Sequence, residues 1–176
     1  GIAHHSWSSL VHVLRHDGSP PGYYLLLRAW IAWFGDGERA THALSLVFGV
    51  ACVPLAYAAG RLVFDRRTGL VCALFAALSP YLTYYAQETR MYELEAFLSL
   101  VVCLAYVQAI LRGRRRWAPL LVIGLAAMVY THNWALFLCV GLAVATAVVV
   151  RERLGLFAIV AAAVAVLYLP WVTSLL

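Results

Sequence analysis

Six apolar segments follow one another along most of the chain, separated by short polar breaks. As helices rising about 1.5 Å per residue, the longer segments cover a hydrocarbon core of about 30 Å, and the shorter ones nearly do. The pattern therefore predicts an all-α, polytopic transmembrane bundle of about six spans. The segments are residues 42–60, 69–86, 91–111, 117–131, 133–150 and 154–174.

Arginines mark the loops between these segments. The positive-inside rule places such loops in the cytoplasm, and this requires an even number of crossings between each pair of them. The polar breaks at residues 87–90 and 131–133 are then expected on the outer face. Nine of the thirteen basic residues lie in three short loops, and they are Arg61, Arg66, Arg67, Arg112, Arg114, Arg115, Arg116, Arg151 and Arg153.

Residues 1–41 are expected outside as well, because the first span leads from them to the first arginine-rich loop. Within them, residues 21–34 are apolar and aromatic, but as a helix they reach only about 20 Å, short for a crossing. We expect a helix that lies in the outer interface, where Tyr and Trp are enriched. The chain then divides into an outer loop with this helix, 1–41, and a transmembrane bundle, 42–176.

Composition agrees with a membrane protein and excludes other classes. Hydrophobic residues make up 64% of the chain, charged residues 12%, and the mean hydropathy is +0.84, far from the balance of a soluble domain. The net charge of +5 indicates no nucleic-acid partner, because most arginines lie in short loops where membrane orientation explains them. The four cysteines stand singly in apolar segments and are interpreted as small core residues.

The strongest polar motif is the stretch 87–92, Gln-Glu-Thr-Arg-Met-Tyr, which joins two apolar segments at their outer ends. A carboxylate and a guanidinium this close to hydrocarbon are costly unless they are paired or used in function. Two interpretations therefore stand side by side. Glu88 and Arg90 belong to a functional site, or an ion pair of Arg90 with Glu88 or Glu93 closes a loop at the level of the headgroups.

Two further candidates are expected on the same face. Asp17 precedes Pro20 and Pro21, a pair that favours an extended approach and then a helix start. Its carboxylate is a candidate metal ligand or base, or else a helix cap. His132 lies at the turn between two short segments, where an imidazole binds a metal when neutral or phosphate when charged, or is structural.

In their order along the chain, these motifs resemble the bacterial GT-C glycosyltransferases of the protein-mannosyltransferase and aminoarabinose-transferase type. The resemblance covers most of the chain, and the combination is more specific than any single motif. It rests on Asp17 with Pro20-Pro21-Gly22-Tyr23-Tyr24, Gly60-Arg61, Leu78-Ser79-Pro80, Gln87-Glu88-Thr89-Arg90-Met91-Tyr92, Tyr130-Thr131-His132 and Leu169-Pro170-Trp171.

The resemblance implies an enzyme that moves a sugar from a polyprenyl-phosphate donor to a lipid, polysaccharide or protein acceptor. The expected place is the outer side of a bacterial cytoplasmic membrane, among membrane lipids. In this family an acidic residue soon after the first helix is usually the catalytic base. This chain begins after that point, at Gly1 without a Met or an opening span, and we expect it to be part of a longer protein. No cofactor is certain, and a divalent metal ion stays open.

Roles carry over residue by residue. Asp17 matches the family's acidic position before the prolines and is expected to bind metal or acceptor. Arg90 is expected to bind the donor phosphate, and Glu88 to position sugar or acceptor or to orient Arg90. The family's His before the prolines is Ser19 here and the Leu after them is Gly22, so the role of that His does not carry over. The pocket is further expected to contain Gln87, Tyr92, Tyr130 and His132.

Two other classes of protein remain as alternatives. A transporter or lipid flippase also has many helices, but it needs polar groups near the bilayer midplane, often at broken helices. Pro54 and Pro80 are candidate helix breaks, yet no charged residue lies in the middle of a predicted span. A non-catalytic membrane scaffold would need no base. The sequence before Gly1 discriminates, since an outer acidic residue after one apolar helix supports the transferase.

Overall fold

The computed structural model describes residues 20–175, with side chains as far as Val172, and Asp17 lies outside this range. The described residues form eight α-helices and no strand, which confirms the all-α prediction. The helices are α1 (Gly22–Phe34), α2 (Glu38–Val63), α3 (Arg66–Ala77), α4 (Pro80–Tyr85), α5 (Tyr92–Tyr106), α6 (Ala118–Thr131), α7 (Ala135–Val149) and α8 (Leu154–Leu175).

The helices follow the apolar segments, with one additional break. Residues 69–86 were expected to be one span, but the helix stops at Ala77 and α4 starts at Pro80. Proline has no N–H to continue the helix, and it suits a first turn. The hydroxyl of Ser79 accepts from the backbone N–H of Leu82 at 3.4 Å, which caps the new helix.

Three helical stretches are long and apolar enough to cross a membrane by themselves, namely Glu38–Val63, Tyr92–Leu111 and Arg151–Val172. Helix α6 has 14 residues and α7 has 15. Their lengths of about 21 and 22 Å fall short of a hydrocarbon core of about 30 Å. The total of about six spans therefore stays a prediction.

Helix α1 packs beside the first turns of α2. The indole Nε1 of Trp30 donates to the carbonyl oxygen of Ala40 at 2.7 Å, and Tyr23 belongs to a buried cluster with Leu44. The predicted helix at residues 21–34 is present, and its 13 residues are too few to cross a bilayer. Its place in the outer interface stays a prediction.

The largest buried cluster lies among α5, α6, α7 and α8. Val102 of α5 and Leu121 of α6 are fully buried, and Val160 of α8 is nearly so. A polar contact crosses this core, because the Tyr106 hydroxyl lies 2.9 Å from Oγ1 of Thr146. Pairing the two hydroxyls removes the cost of burying either one alone.

The three arginine-rich loops lie together at one end of the bundle. The guanidinium of Arg112 donates to the carbonyl oxygen of Leu62 in the last turn of α2, which joins the first loop to the second. Gly113 has a φ of 68°, and a Cβ there would overlap the guanidinium of Arg153, which places the third loop against the second. We call residues 61–67, 112–116 and 151–153 the arginine-rich end.

Near this end α2 and α3 lie close together because Gly69 of α3 has no side chain. A Cβ on Gly69 would lie 2.7 Å from the carbonyl oxygen of Tyr57. Gly69→Ala should therefore force the two helices apart and lower the free energy of unfolding by about 1 to 3 kcal/mol. Gly141→Ala is the matched control, because nothing lies within 4 Å of its Cβ position. Thermal unfolding in detergent measures both, and equal effects would contradict this packing.

Candidate active site

The end of the bundle opposite the arginine-rich end gathers the start of α1, the loop before α5 and the turn after α6. A Cβ on Gly22 would lie 2.6 Å from the carbonyl oxygen of Tyr130. The start of α1 therefore reaches the end of α6 only because residue 22 has no side chain. This contact holds the start of α1 against the end of α6, two residues before His132.

A buried serine fixes the loop that carries Glu88 and Arg90. Ser45 of α2 is 1% exposed, and its hydroxyl donates to the carbonyl oxygen of Glu88 at 2.7 Å. The loop also turns on itself, since the backbone N–H groups of Gln87 and Glu88 each donate to a carbonyl of α4 at 3.1 Å. The loop is thus attached both to α2 and to the end of α4.

Arg90 lies close to Tyr23, the second residue of α1. The Tyr23 side chain is 2% exposed, and its burial raises the pKa of the phenol to about 12, although Ser45 and Arg90 act in the opposite direction. The hydroxyl forms no hydrogen bond to any described residue. Tyr23 therefore keeps its proton at physiological pH, and its buried hydroxyl lies near Ser45 and the charge of Arg90.

The ion pairs that would merely close the loop are absent from the described part of the chain. Arg90 is exposed and pairs with neither Glu88 nor Glu93. Glu93 points toward α2, where its carboxylate oxygen lies 3.0 Å from the Cβ position of Gly49, and neither of its oxygens has a hydrogen bond. The guanidinium of Arg90 can therefore reach a ligand.

Aromatic rings connect α4 to the turn after α6. The ring centroids of Tyr81 and Tyr85 are 4.6 Å apart, those of Tyr85 and Tyr92 are 4.5 Å apart, and those of Tyr92 and His132 are 6.2 Å apart. Trp134 continues the row at 5.7 Å from His132. The structure thus brings Tyr92 and His132, two of the predicted site residues, to the same surface.

His132 is held as a neutral imidazole. Its Nδ1 accepts a hydrogen bond from the backbone N–H of Trp134 at 3.1 Å, and partial burial lowers the pKa of the ring below its usual 6.5. Because Nδ1 is an acceptor, the ring proton lies on Nε2. The geometry favours a neutral hydrogen-bond donor over the phosphate-binding cation that was one of the sequence-based alternatives.

Two other predicted residues make local contacts. The side-chain amide of Gln87 donates to the carbonyl oxygen of Thr83 at 3.0 Å. The Tyr130 hydroxyl donates to the carbonyl oxygen of Leu167 at 2.8 Å, and its ring packs edge-on against Tyr168. Contact of Gln87 and Tyr130 with substrate stays a prediction. Residues 20–175 hold no group of three or more His, Cys, Asp or Glu suited to a metal ion, and a divalent metal stays open.

Sequence reasoning missed Ser45 and gave Tyr23 only an interfacial role. A signal for Ser45 existed, because a hydroxyl in the first half of an apolar span needs a partner. Nothing in the sequence named that partner as the backbone of Glu88, 43 residues away. Glu93 was expected near the outer face, and its complete burial against α2 could not be predicted.

Comparison with known proteins identifies the family. The model of the dolichyl-phosphate-mannose-protein mannosyltransferase family matches residues 18–175. The chain belongs to this family. No curated protein and no solved structure matches it significantly. Membership in this mannosyltransferase family makes the chain a membrane glycosyltransferase, as the motifs predicted, and favours this function over a transporter or a scaffold.

The attachment of the loop to α2 can be tested in this mannosyltransferase-family chain by hydrogen exchange. Ser45→Ala leaves the Glu88 carbonyl without its buried donor, a loss of about 1 to 3 kcal/mol, and should speed exchange at residues 86–92. Ser99→Ala is the control, because the Ser99 hydroxyl donates to a carbonyl one turn earlier in its own helix, at 2.8 Å. Unchanged exchange in Ser45→Ala would show that the bond does not hold the loop.

The state of His132 can be tested through acid stability. Since burial lowers the pKa of the folded ring, the unfolded chain takes up the proton first as the pH falls. This contribution to stability is complete above about pH 6.5 and is lost as the pH drops through the lowered pKa. His132→Asn retains an acceptor for Trp134 but does not titrate, so its melting temperature should fall less below that pH. If the melting temperatures of both proteins fall equally with pH, the imidazole of His132 is not a neutral, partly buried ring.

Proposed function

We propose that this chain forms the donor-binding part of an enzyme that transfers a sugar from a polyprenyl phosphate to an acceptor outside the cytoplasmic membrane. One observation supports this most strongly. Arg90 is exposed, pairs with no described carboxylate and stands on a loop that Ser45 attaches to α2. A free cation on a fixed loop at the end of a membrane bundle suits a ligand with a phosphate.

The reaction accounts for the residue types. Displacing a lipid phosphate from the anomeric carbon requires cationic or hydrogen-bonding groups that stabilise the leaving phosphate. A guanidinium does this with two parallel N–H donors. The neutral phenol of Tyr23 lies buried near Arg90 and adds no opposing charge to the proposed phosphate position. Together, Arg90 and Tyr23 form the proposed phosphate site.

The acceptor needs a carboxylate that removes its proton. Glu88 is half-buried on the same loop, and we assign it to positioning the sugar or acceptor or to orienting Arg90. Asp17, which precedes α1, keeps its proposed role in metal or acceptor binding. His132 offers an Nε2–H donor to a sugar hydroxyl, and Tyr92 forms the adjacent wall.

A groove for the prenyl chain adjoins this site. A cavity of about 510 Å³ lies between α2, α3 and α4, lined mostly by apolar side chains such as Leu46 and Val50. It extends up to Thr83 and Gln87, at the base of the loop that carries Arg90. An apolar groove that ends at Gln87, three residues before Arg90, suits a lipid phosphate whose chain stays in hydrocarbon and whose phosphate reaches the loop.

The arginine-rich end supports an orientation of the protein in the membrane. Its nine arginines would lie in the cytoplasm by the positive-inside rule, and the candidate active site, at the opposite end, would then face outward. We propose a multi-pass protein of a bacterial cytoplasmic membrane. The acceptor is a lipid, a polysaccharide or a protein that reaches the outer surface.

Replacement of Arg90 tests the proposed function in the complete enzyme. Arg90→Ala should reduce donor use by about ten- to a hundredfold, the effect of losing a charge-assisted hydrogen bond of about 1.5 to 3 kcal/mol. Arg90→Lys should recover only part, because a point charge loses the fork geometry. Transfer of sugar from the polyprenyl phosphate is measured by mass spectrometry, together with the melting temperature.

Arg39→Ala is the matched control, because Arg39 is an exposed arginine in the first turn of α2, at the same end of the bundle. It should leave transfer unchanged. If Arg90→Ala and Arg39→Ala reduce transfer equally, Arg90 does not bind the donor phosphate. The same conclusion follows if Arg90→Ala lowers the melting temperature so far that unfolding explains the loss of activity.

A further inference from the structure

A second cavity, with a more polar lining than the first, lies at the arginine-rich end. Its volume is about 340 Å³, and it is lined by Tyr57, Ala58, Arg61, Leu62 and Arg112. This volume falls at the lower end of the usual range of small-ligand sites, about 300 to 1,000 Å³. Arg61 follows Ser45 by sixteen residues along α2, about 24 Å of helix. The cavity is therefore separate from the candidate active site.

Two guanidinium groups reach this cavity from different elements. Arg61 lies in the last turn of α2, and Arg112 follows the π-helical turn that ends α5. One N–H of Arg112 is used by the carbonyl oxygen of Leu62, as expected for a cation at a helix C-terminus. A guanidinium has five N–H donors, so most donors of the two side chains remain for a ligand.

Carboxylates do not neutralise the two arginines. None lines the cavity, and no described residue forms an ion pair with Arg61 or Arg112. The carboxylates of the arginine-rich end are Asp65 and Glu152. Asp65 caps α3 by accepting from the backbone N–H of Thr68 at 2.7 Å, and Glu152 is exposed in the turn before α8. The cavity is thus a site of positive charge without an internal counter-ion.

Apolar side chains beside the cavity favour a lipid over a soluble anion as its ligand. Val63 is 52% exposed and Leu111 is 39% exposed, and they adjoin the lining residues Leu62 and Arg112 in the chain. Phe64, two positions after Leu62, is 74% exposed. Exposed apolar side chains around a polar pocket suit a ligand with an anionic headgroup and hydrocarbon tails. Basic pockets between transmembrane helices bind the headgroups of anionic lipids in this way.

We propose that Arg61 and Arg112 bind the phosphodiester of an anionic phospholipid, in the leaflet opposite the candidate active site. The planar forks of the two guanidinium groups meet the phosphate oxygens. Tyr57 closes the pocket from α2, at the depth where Tyr side chains favour the interface. The acyl chains lie along Phe64 and Leu111. Such a lipid would join the ends of α2 and α5 through its headgroup.

The test uses the full-length protein in detergent, titrated with phosphatidylglycerol and separately with phosphatidylcholine. Phosphatidylglycerol should bind, detected by native mass spectrometry, and should raise the melting temperature, because a ligand stabilises the state that binds it. Arg61→Gln and Arg112→Gln should each weaken this binding about tenfold or more. Arg112→Lys should keep the contact to Leu62 but lose much of the lipid affinity.

Arg66→Gln is the matched control, because Arg66 is exposed at the same end and does not line the cavity. It should change the affinity by less than about twofold. If it weakens binding as much as Arg61→Gln, the attraction is diffuse and the site does not exist. Displacement by inorganic phosphate at the lipid's own concentration would show a soluble-anion site and would also overturn the proposal. If Arg112→Gln lowers the melting temperature in the absence of lipid, the lost contact to Leu62 has destabilised the protein. The lipid affinity of Arg61→Gln then decides whether the site exists.

Discussion

The absence of water from the hydrocarbon core is the constraint on which the rest of this structure depends. Every backbone polar group within the core must be satisfied inside the protein, so the described chain is helical and its charged side chains collect at the two ends. Some buried polar groups are satisfied by one another, as with Tyr106 and Thr146, whereas the Glu93 carboxylate has no hydrogen bond among the described residues. Ser45 is satisfied by the loop that carries Arg90.

The same constraint made the helices predictable from the sequence. Apolar length gave α2, α5 and α8, and the polar breaks gave their ends within a few residues. The break at Pro80 was missed because hydropathy does not respond to a single proline within an apolar run, although the lost N–H does interrupt the helix. The clustering of the arginine-rich loops at one end was predicted from the positive-inside rule together with the number of apolar segments between the loops.

The candidate site was less predictable, because it depends on contacts between distant residues. The motif 87–92 drew attention to Arg90, and no carboxylate within residues 20–175 pairs with its guanidinium. Tyr23 lies near this guanidinium because α1 folds back against the bundle. The fold-back in turn depends on Gly22, whose missing side chain admits the carbonyl of Tyr130. Sequence spacing carries no signal for such a contact, since residues 22 and 130 belong to separate elements.

The two ends hold their arginines for different physical reasons, although at both ends some guanidinium groups form no ion pair with any described carboxylate. At the candidate active site one cation, Arg90, lies near neutral side chains, and in the proposed function the single phosphate of the donor would satisfy it. At the other end Arg112 already satisfies the C-terminus of α2 through Leu62, and Arg61 adds a second charge beside it. Two cations so close repel each other unless an anion lies between them. The proposed cytoplasmic orientation requires positive charge at that end but does not require a cavity lined by two arginines. The proposed lipid phosphate would account both for the charge and for the cavity.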